Sequence, residues 1–144
     1  MTLQTASEGI SFARELETKT AAFYEELAAR FPEKAETFRS YAKANQKNVS
    51  NIERAYYGVI TDAIEGCYAF KIEPEDFPID VDTSSIADLA AAVAKAIKNE
   101  ETLVRFFNEA AEQAKGTMAD VPRTFGVVSR KHGERVDELK SMAG

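Results

Sequence analysis

Residues 86–113 read IADLAAAVAKAIKNEETLVRFFNEAAEQ, and this stretch predicts the fold of the chain. Its apolar residues recur at intervals of three and four, which is the spacing of one face of a long helix. Glu100 falls on that face, four residues after Ala96 and three before Leu103. A lone carboxylate in an apolar core is very costly unless it is paired or bound to a metal. The partner of Glu100 is therefore the main functional question that this sequence poses.

Length and composition narrow the class of protein. The 144 residues suffice for one domain, residues 1–144, with a sizeable core. The formal net charge of −6 argues against a nucleic-acid partner, because phosphate binding needs a basic surface. No apolar run approaches the roughly 20 residues of a membrane span, so no membrane contact is expected. Cys67 is the only cysteine, which excludes a disulfide within the chain, and we expect a cytoplasmic protein.

The apolar periodicity predicts an all-α protein with four helices and no convincing strand. A long connection separates the second helix from the third. Residues 63–70 could extend the second helix or form a short separate one, and Pro74 and Pro78 then interrupt helix. A connection of about 20 residues can cross from one end of a four-helix bundle to the other. The four helices are predicted at about residues 7–30, 33–60, 85–115 and 120–142.

Residues at the predicted helix ends indicate how each helix starts. Thr5 and Glu8 have the spacing of a capping box for the first helix, although Ser7 is an equally good cap. Ser84 or Ser85 is expected to cap the third helix. Asp88 would then lie in the first turn of that helix, and Gly116 would end it.

An internal repeat relates the two halves of the chain. Glu17 lies six residues before Phe23, and Glu100 lies six residues before Phe106. The second helix of each half also matches, with Phe38 corresponding to Phe125. Counting seven and ten residues onward from these two aromatic residues gives polar residues at core-facing positions in both halves. We therefore predict one buried polar site formed from all four helices, by Glu17, Asn45, Asn48, Glu100, His132 and Arg135.

This layout resembles the rubrerythrin-like branch of the ferritin-like superfamily. Members of that family have a glutamate on the first and third helices, each followed six and seven residues later by an aromatic pair. Their second and fourth helices carry Glu-x-x-His, and the six residues together bind two iron or manganese ions. The resemblance extends from about residue 7 to residue 142. It implies a ferritin-like four-helix bundle with a long crossover between helices 2 and 3, and it implies a homodimer.

The chain departs from the family at the metal ligands. Asn45 and Asn48 stand in place of Glu-x-x-His on the second helix, and His132 and Arg135 stand in its place on the fourth. Four carboxylates balance two divalent ions. Two carboxylates at −2 and one guanidinium at +1 leave only −1 here, if His132 is counted as neutral. The sequence therefore predicts that the ordinary dimetal centre is absent.

Two interpretations of the site remain open. In the first, Arg135 pairs with Glu17 or Glu100, no cofactor is bound, and the protein has a structural, binding or regulatory role without catalysis. In the second, Glu17, Glu100 and His132 hold one iron, manganese or zinc ion. Peroxide reduction or iron handling would then follow only by analogy with the family. A shifted register, or a metal with additional ligands, is a further alternative.

The remaining aromatic residues and the cysteine have simpler interpretations. Tyr24, Tyr41 and Phe107 are expected to be core aromatics rather than redox relays, with Tyr24 and Tyr41 placed to hydrogen-bond the polar site. Cys67 has no basic neighbours in sequence that would lower its thiol pKa, so it is expected to be an ordinary cysteine.

Overall fold

A computed structural model describes residues 1–58, 67–116, 118 and 120–143, and its secondary structure is mainly helical. Within these residues, four α-helices span Ala6–Arg30 (α1), Ala35–Tyr57 (α2), Leu89–Ala114 (α3) and Val121–Ala143 (α4). There are also two short strands, Leu3–Thr5 (β1) and Tyr68–Ile72 (β2), and two single 3-10 turns, Pro32–Lys34 and Pro74–Asp76. The predicted all-α class is confirmed. No helix in the described ranges is long and apolar enough to cross a membrane.

The first helix begins at the predicted capping box. The hydroxyl of Thr5 accepts a hydrogen bond from the backbone N–H of Glu8 at 3.1 Å. The carboxylate of Glu8 accepts one from the backbone N–H of Thr5 at 3.0 Å. Of the two caps that the sequence leaves open, the helix uses Thr5, and Ser7 already lies inside α1.

The third helix begins later than the sequence predicts. Its cap is Asp88, whose carboxylate accepts from the backbone N–H of Ala91 at 2.9 Å, so a start near residue 85 is wrong. Ser84 and Ser85 lie in the preceding turn. There the backbone N–H of Ser84 donates to the carboxylate of Asp82 at 2.9 Å. Bonds of this kind are typical of turns, and both serines lie before the helix that Asp88 caps.

The other helix ends agree with prediction to within about one turn. The second helix is preceded by the 3-10 turn Pro32–Lys34, whose proline occupies a first-turn position where no N–H is required. Residues 59–60 of the predicted second helix lie outside the described residues. Gly116 follows α3 with a φ of 79°, a left-handed conformation that favours glycine.

The prediction of no strand is wrong. β1 and β2 form an antiparallel pair in which Leu3 lies opposite Ile72 and Thr5 opposite Tyr68. Residues 68–70 therefore lie in a strand and do not extend α2 or form a separate short helix. The rest of residues 63–70, apart from Cys67, lies outside the described part of the chain. Pairing depends on a partner more than 60 positions away, which local periodicity does not reveal. β2 also packs on α1, where a Cβ at Gly9 would overlap the ring of Phe70.

Two side chains of α3, Asn99 and Lys95, bind Asp80 in the connection that leads to that helix. The amide of Asn99 accepts from the backbone N–H of Asp80 and donates to its carbonyl, both at 2.9 Å. Lys95 adds an ion pair to the carboxylate of Asp80 at 2.9 Å. The connection is therefore held against α3 at Asp80. Residues 61–66 of the predicted connection are outside the described ranges.

The polar residues divide the hydrophobic core into two clusters. α1 packs mainly against α2, and α3 packs mainly against α4. One cluster contains Leu16, Ile52, Leu103 and Val128, and the other contains Ala21, Ala42, Ala96 and Leu139. On every helix the polar residues fall between a member of one cluster and a member of the other. The four helices thus position a polar layer between two apolar ones.

Candidate functional site

The six polar residues singled out in the sequence lie together in the core. They come from all four helices, and each has less than a tenth of its surface exposed. Three of the ionisable side chains have no exposed surface: Glu17, Glu100 and His132. Such a group is stable in a core only if its neighbours satisfy its charge and its hydrogen bonds. The contacts within the cluster show how this is achieved.

The imidazole of His132 lies between the two glutamates. Its Nε2 atom is 2.6 Å from Oε2 of Glu17, and its Nδ1 atom is 2.5 Å from Oε1 of Glu100. The ring of Phe107 stacks on the imidazole, with 5.8 Å between centroids and 13° between planes. Both ring nitrogens therefore face carboxylate oxygens, while an apolar ring covers one face of the imidazole. The sequence indicated Phe107 as a core aromatic but not this contact.

The other oxygen of Glu17 is satisfied by α2. Nδ2 of Asn48 donates to Oε1 of Glu17 at 2.8 Å, and Nδ2 of Asn45 donates to the same oxygen at 3.1 Å. The second helix thus supplies amide donors at the two positions that the sequence comparison aligned with the Glu-x-x-His of the rubrerythrin-like family. Among the described residues, Oδ1 of Asn48 is buried without a hydrogen-bond partner.

Glu100 has a different set of neighbours. Its Oε2 atom accepts a hydrogen bond from the hydroxyl of Tyr24 at 2.6 Å and one from Nη1 of Arg135 at 3.2 Å. The sequence left open which glutamate Arg135 would meet, and the guanidinium is within salt-bridge distance of Glu100. Glu100 therefore has His132 on one oxygen and two donors on the other.

Arg135 is held by more than its ion pair. Its guanidinium also donates to Oδ1 of Asn45 at 3.0 Å and to the backbone carbonyl of Tyr41 at 3.2 Å. The guanidinium carbon lies 4.7 Å from the ring centroid of Tyr41 and 5.3 Å from that of Tyr24. Arginine is suited to such a site because its planar group stacks on aromatic rings while its N–H groups donate in the plane.

The two tyrosines have separate roles. The hydroxyl of Tyr24 joins the polar cluster, as expected. The hydroxyl of Tyr41 instead donates to Glu138 at 2.5 Å, toward the surface, and Tyr41 meets the cluster through its ring and its backbone carbonyl. Sequence periodicity placed both residues inward, but it could not show where each hydroxyl points.

The charges within the cluster decide the protonation of the histidine. Burial alone would lower the pKa of His132, but the carboxylates of Glu17 and Glu100 outweigh it and raise the pKa to about 9. Burial disfavours the charged form of Glu100 as well, which for a carboxyl group would raise the pKa. The charges of His132 and Arg135, together with the hydrogen bonds to the carboxylate, hold the pKa below its ordinary value. His132 is therefore an imidazolium at neutral pH.

This protonation state corrects the charge assigned to the site from the sequence. The count of −1 applied to a neutral His132, and the raised pKa favours the charged form instead. The two carboxylates of Glu17 and Glu100 are matched by the imidazolium of His132 and the guanidinium of Arg135, so the net charge is zero. The cluster is electrically balanced by protein groups alone.

The donor set does not fit the dimetal centre of the rubrerythrin-like family that the sequence resembles. Such a centre needs four carboxylates and two imidazole nitrogens with their lone pairs directed at metal. Both nitrogens of His132 are instead directed at carboxylates, and a guanidinium lies 3.2 Å from Glu100. Within the described residues, no group of three or more His, Cys, Asp or Glu side chains is arranged to hold a metal ion. Cys67 lies apart from the cluster, beside the apolar core.

Comparison with protein-family models, with curated proteins and with solved structures gave no match. The function therefore has to be argued from the residues and contacts of this chain.

Proposed function

We propose that this protein is a ferritin-like, rubrerythrin-like four-helix bundle in which an internal salt-bridge network has replaced the dimetal site. The long connection between the second and third helices would be the crossover of that fold. The role we propose is non-catalytic: a structural, binding or regulatory protein. Because Cys67 is the only cysteine, we further propose that it works in the cytoplasm.

One observation carries this proposal. The imidazolium of His132 occupies the space between Glu17 and Glu100, with its nitrogens 2.6 and 2.5 Å from their oxygens. A bound cation would have to displace a group that already balances the same two carboxylates. A divalent ion added beside His132 and Arg135 would leave uncompensated positive charge in the core, which is strongly unfavourable. Competition from His132 and Arg135 therefore favours the metal-free state.

The principal test is metal analysis of the protein purified without chelator from cells supplied with iron, manganese and zinc. We expect well under one ion per chain. Near-stoichiometric metal that disappears in His132→Ala would overturn the proposal. It would instead support the alternative function, a metal-binding oxidoreductase or iron-handling protein. The convergence of Glu17, Glu100 and His132 favours that alternative.

A gain-of-function variant serves as the positive control. The changes Asn45→Glu, Asn48→His, His132→Glu and Arg135→His would recreate Glu-x-x-His on both α2 and α4. If the register resembles that of the rubrerythrin family, this variant should bind two divalent ions per chain and melt at higher temperature with metal than without. If the variant remains helical but binds no metal, the ferritin-like assignment is contradicted. That result would not bear on the contacts of His132 in the natural chain.

A further inference from the structure

A side chain of α3 occupies the outer edge of β2. Oε1 of Gln113 accepts a hydrogen bond from the backbone N–H of Lys71 at 2.7 Å, and Nε2 of Gln113 donates to the carbonyl of Lys71 at 3.3 Å. A residue in a neighbouring strand satisfies the two backbone groups of an edge residue in the same way. In the described sheet, β2 has only β1 as a neighbouring strand. Gln113 therefore stands where the backbone of a third strand would bond to β2.

An open groove, the β2/α3 groove, begins beside Lys71 and follows α3. It has a volume of about 590 Å³, and its lining includes Lys71, Phe77 and Arg105. Gln113 and Arg105 are eight positions apart on α3, which is about 12 Å along the helix axis. An extended chain, which rises about 3.3 Å per residue, covers that distance in about four residues. The groove is thus long enough for a short extended segment that starts at the edge of β2.

The guanidinium of Arg105 lies at the far end of this groove. Its carbon is 5.3 Å from the ring centroid of Phe77, and Nη1 donates to the backbone carbonyl of Asp76 at 3.4 Å. Among the described residues, no carboxylate lies within 4 Å of this guanidinium. Arginine that packs on an aromatic ring keeps N–H groups in its own plane for a carboxylate. Arg105 is therefore positioned to bind an anionic group at this end.

The other charged residues of the groove carry both signs. They are Lys71, Glu73, Asp76 and Glu109. In the part of the chain that the structure describes, none of them pairs with an opposite charge within 4 Å. Glu109 lies about one turn of α3 from Arg105, or about 6 Å, which is the length of about two residues in an extended chain. A chain with its carboxylate at Arg105 and a basic residue two positions earlier complements both side chains.

We propose that the β2/α3 groove binds the C-terminal tail of a partner protein as an extended strand. The terminal carboxylate of the tail binds Arg105, and a lysine or arginine two positions before the terminal residue faces Glu109. The backbone farther from the end replaces Gln113 at Lys71, so that the tail runs parallel to β2. The groove lies outside the buried polar cluster, so this inference does not rest on the proposed function.

Binding of short peptides tests the carboxylate contact. The probe is a pool of N-terminally blocked pentapeptides with a free C-terminal carboxylate and random side chains, applied to the full chain. We expect the best binders to have Kd values below about 100 µM, with lysine or arginine third from the end. Arg105→Gln should raise the Kd about tenfold or more, whereas Arg39→Gln, at an exposed position on α2, should leave it unchanged. Amidation of the peptide's C-terminus should weaken binding as much as Arg105→Gln, and it tests the same contact without changing the protein.

Two further variants test the other contacts of the tail. Glu109→Gln should weaken peptides with a basic residue third from the end about threefold or more, and it should not weaken those with alanine there. Gln113→Ala should lower the Kd, because the peptide no longer has to displace the amide, and a higher Kd would overturn the strand pairing. The whole proposal is overturned if no peptide binds with a Kd below about 1 mM, or if amidated and free-acid peptides bind equally.

Discussion

The Nε2 atom of His132 lies 2.6 Å from Oε2 of Glu17, although 115 positions separate the two residues in the chain. This contact joins α4 to α1. On the opposite side of the same ring, Nδ1 joins α4 to α3 through Glu100. One charged imidazole therefore links three helices, and the stability of the fold should depend on its protonation.

Stability should fall at alkaline pH because His132 loses its proton. Its folded pKa of about 9 lies above the ordinary value of 6.5, so the charged form favours the folded state. The resulting stabilisation is fully present below about pH 6.5 and is lost as the pH rises through about 9. The full change corresponds to roughly 3 kcal/mol in the free energy of unfolding. Urea denaturation between pH 6 and pH 10 would measure it.

The variant His132→Gln is the control for this pH dependence, since lysines and tyrosines elsewhere also titrate at high pH. The variant should be less stable than the natural chain at pH 6.5, and the difference between the two proteins should shrink as the pH approaches 10. A constant difference across this range would mean that His132 is neutral in the folded protein.

Removing the guanidinium should destabilise the protein strongly. Arg135→Ala deprives Glu100 of a buried positive partner and removes the side-chain donor to the carbonyl of Tyr41. We expect a loss of about 3–5 kcal/mol in the free energy of unfolding. Lys131→Ala, at an exposed position on the same helix, should change stability by less than about 0.5 kcal/mol. Similar melting curves for the two variants would contradict the network described for Arg135.

The two tyrosine hydroxyls form a matched pair for measuring how burial changes the stability lost with one hydrogen bond. Tyr24→Phe removes a buried donor to Glu100 and should cost about 1–3 kcal/mol, because that carboxylate cannot turn to water. Tyr41→Phe removes a donor to Glu138, whose side chain is exposed, and should cost less than about 1 kcal/mol. Thermal unfolding of the two variants would give the difference, and equal losses would argue against a special role for Glu100.

The contact between α1 and β2 should be sensitive to a single methyl group. Gly9→Ala would force the ring of Phe70 to move, at a cost of about 1–3 kcal/mol that exceeds the gain in helix propensity. At Gly126, where an added Cβ would meet no described atom within 4 Å, the same change should stabilise the protein by up to about 1 kcal/mol. Chemical denaturation of the two variants should therefore show shifts of opposite sign.

Much of the helical structure could be predicted from local pattern. The spacing of apolar residues located four helices, and the same periodicity identified Glu100 and its five companions as core-facing. Asp88 shows where this reasoning ends, because Ser84, Ser85 and Asp88 are all residue types that cap helices, and only the structure shows that Asp88 accepts from the first turn of α3. The strand Tyr68–Ile72 was missed because its partner, Leu3–Thr5, lies more than 60 positions earlier in the chain, before the first helix.

The sequence alone established the helices, their inward faces and the residues of the polar cluster, because these depend on the regular geometry of one helix at a time. Tertiary structure decided which oxygen of each glutamate meets which donor, and therefore that His132 is charged. An imidazole takes its pKa from the distance to groups on other helices, and spacing along one helix contains no such distance. Identical periodicity would have been compatible with a neutral His132 facing a metal.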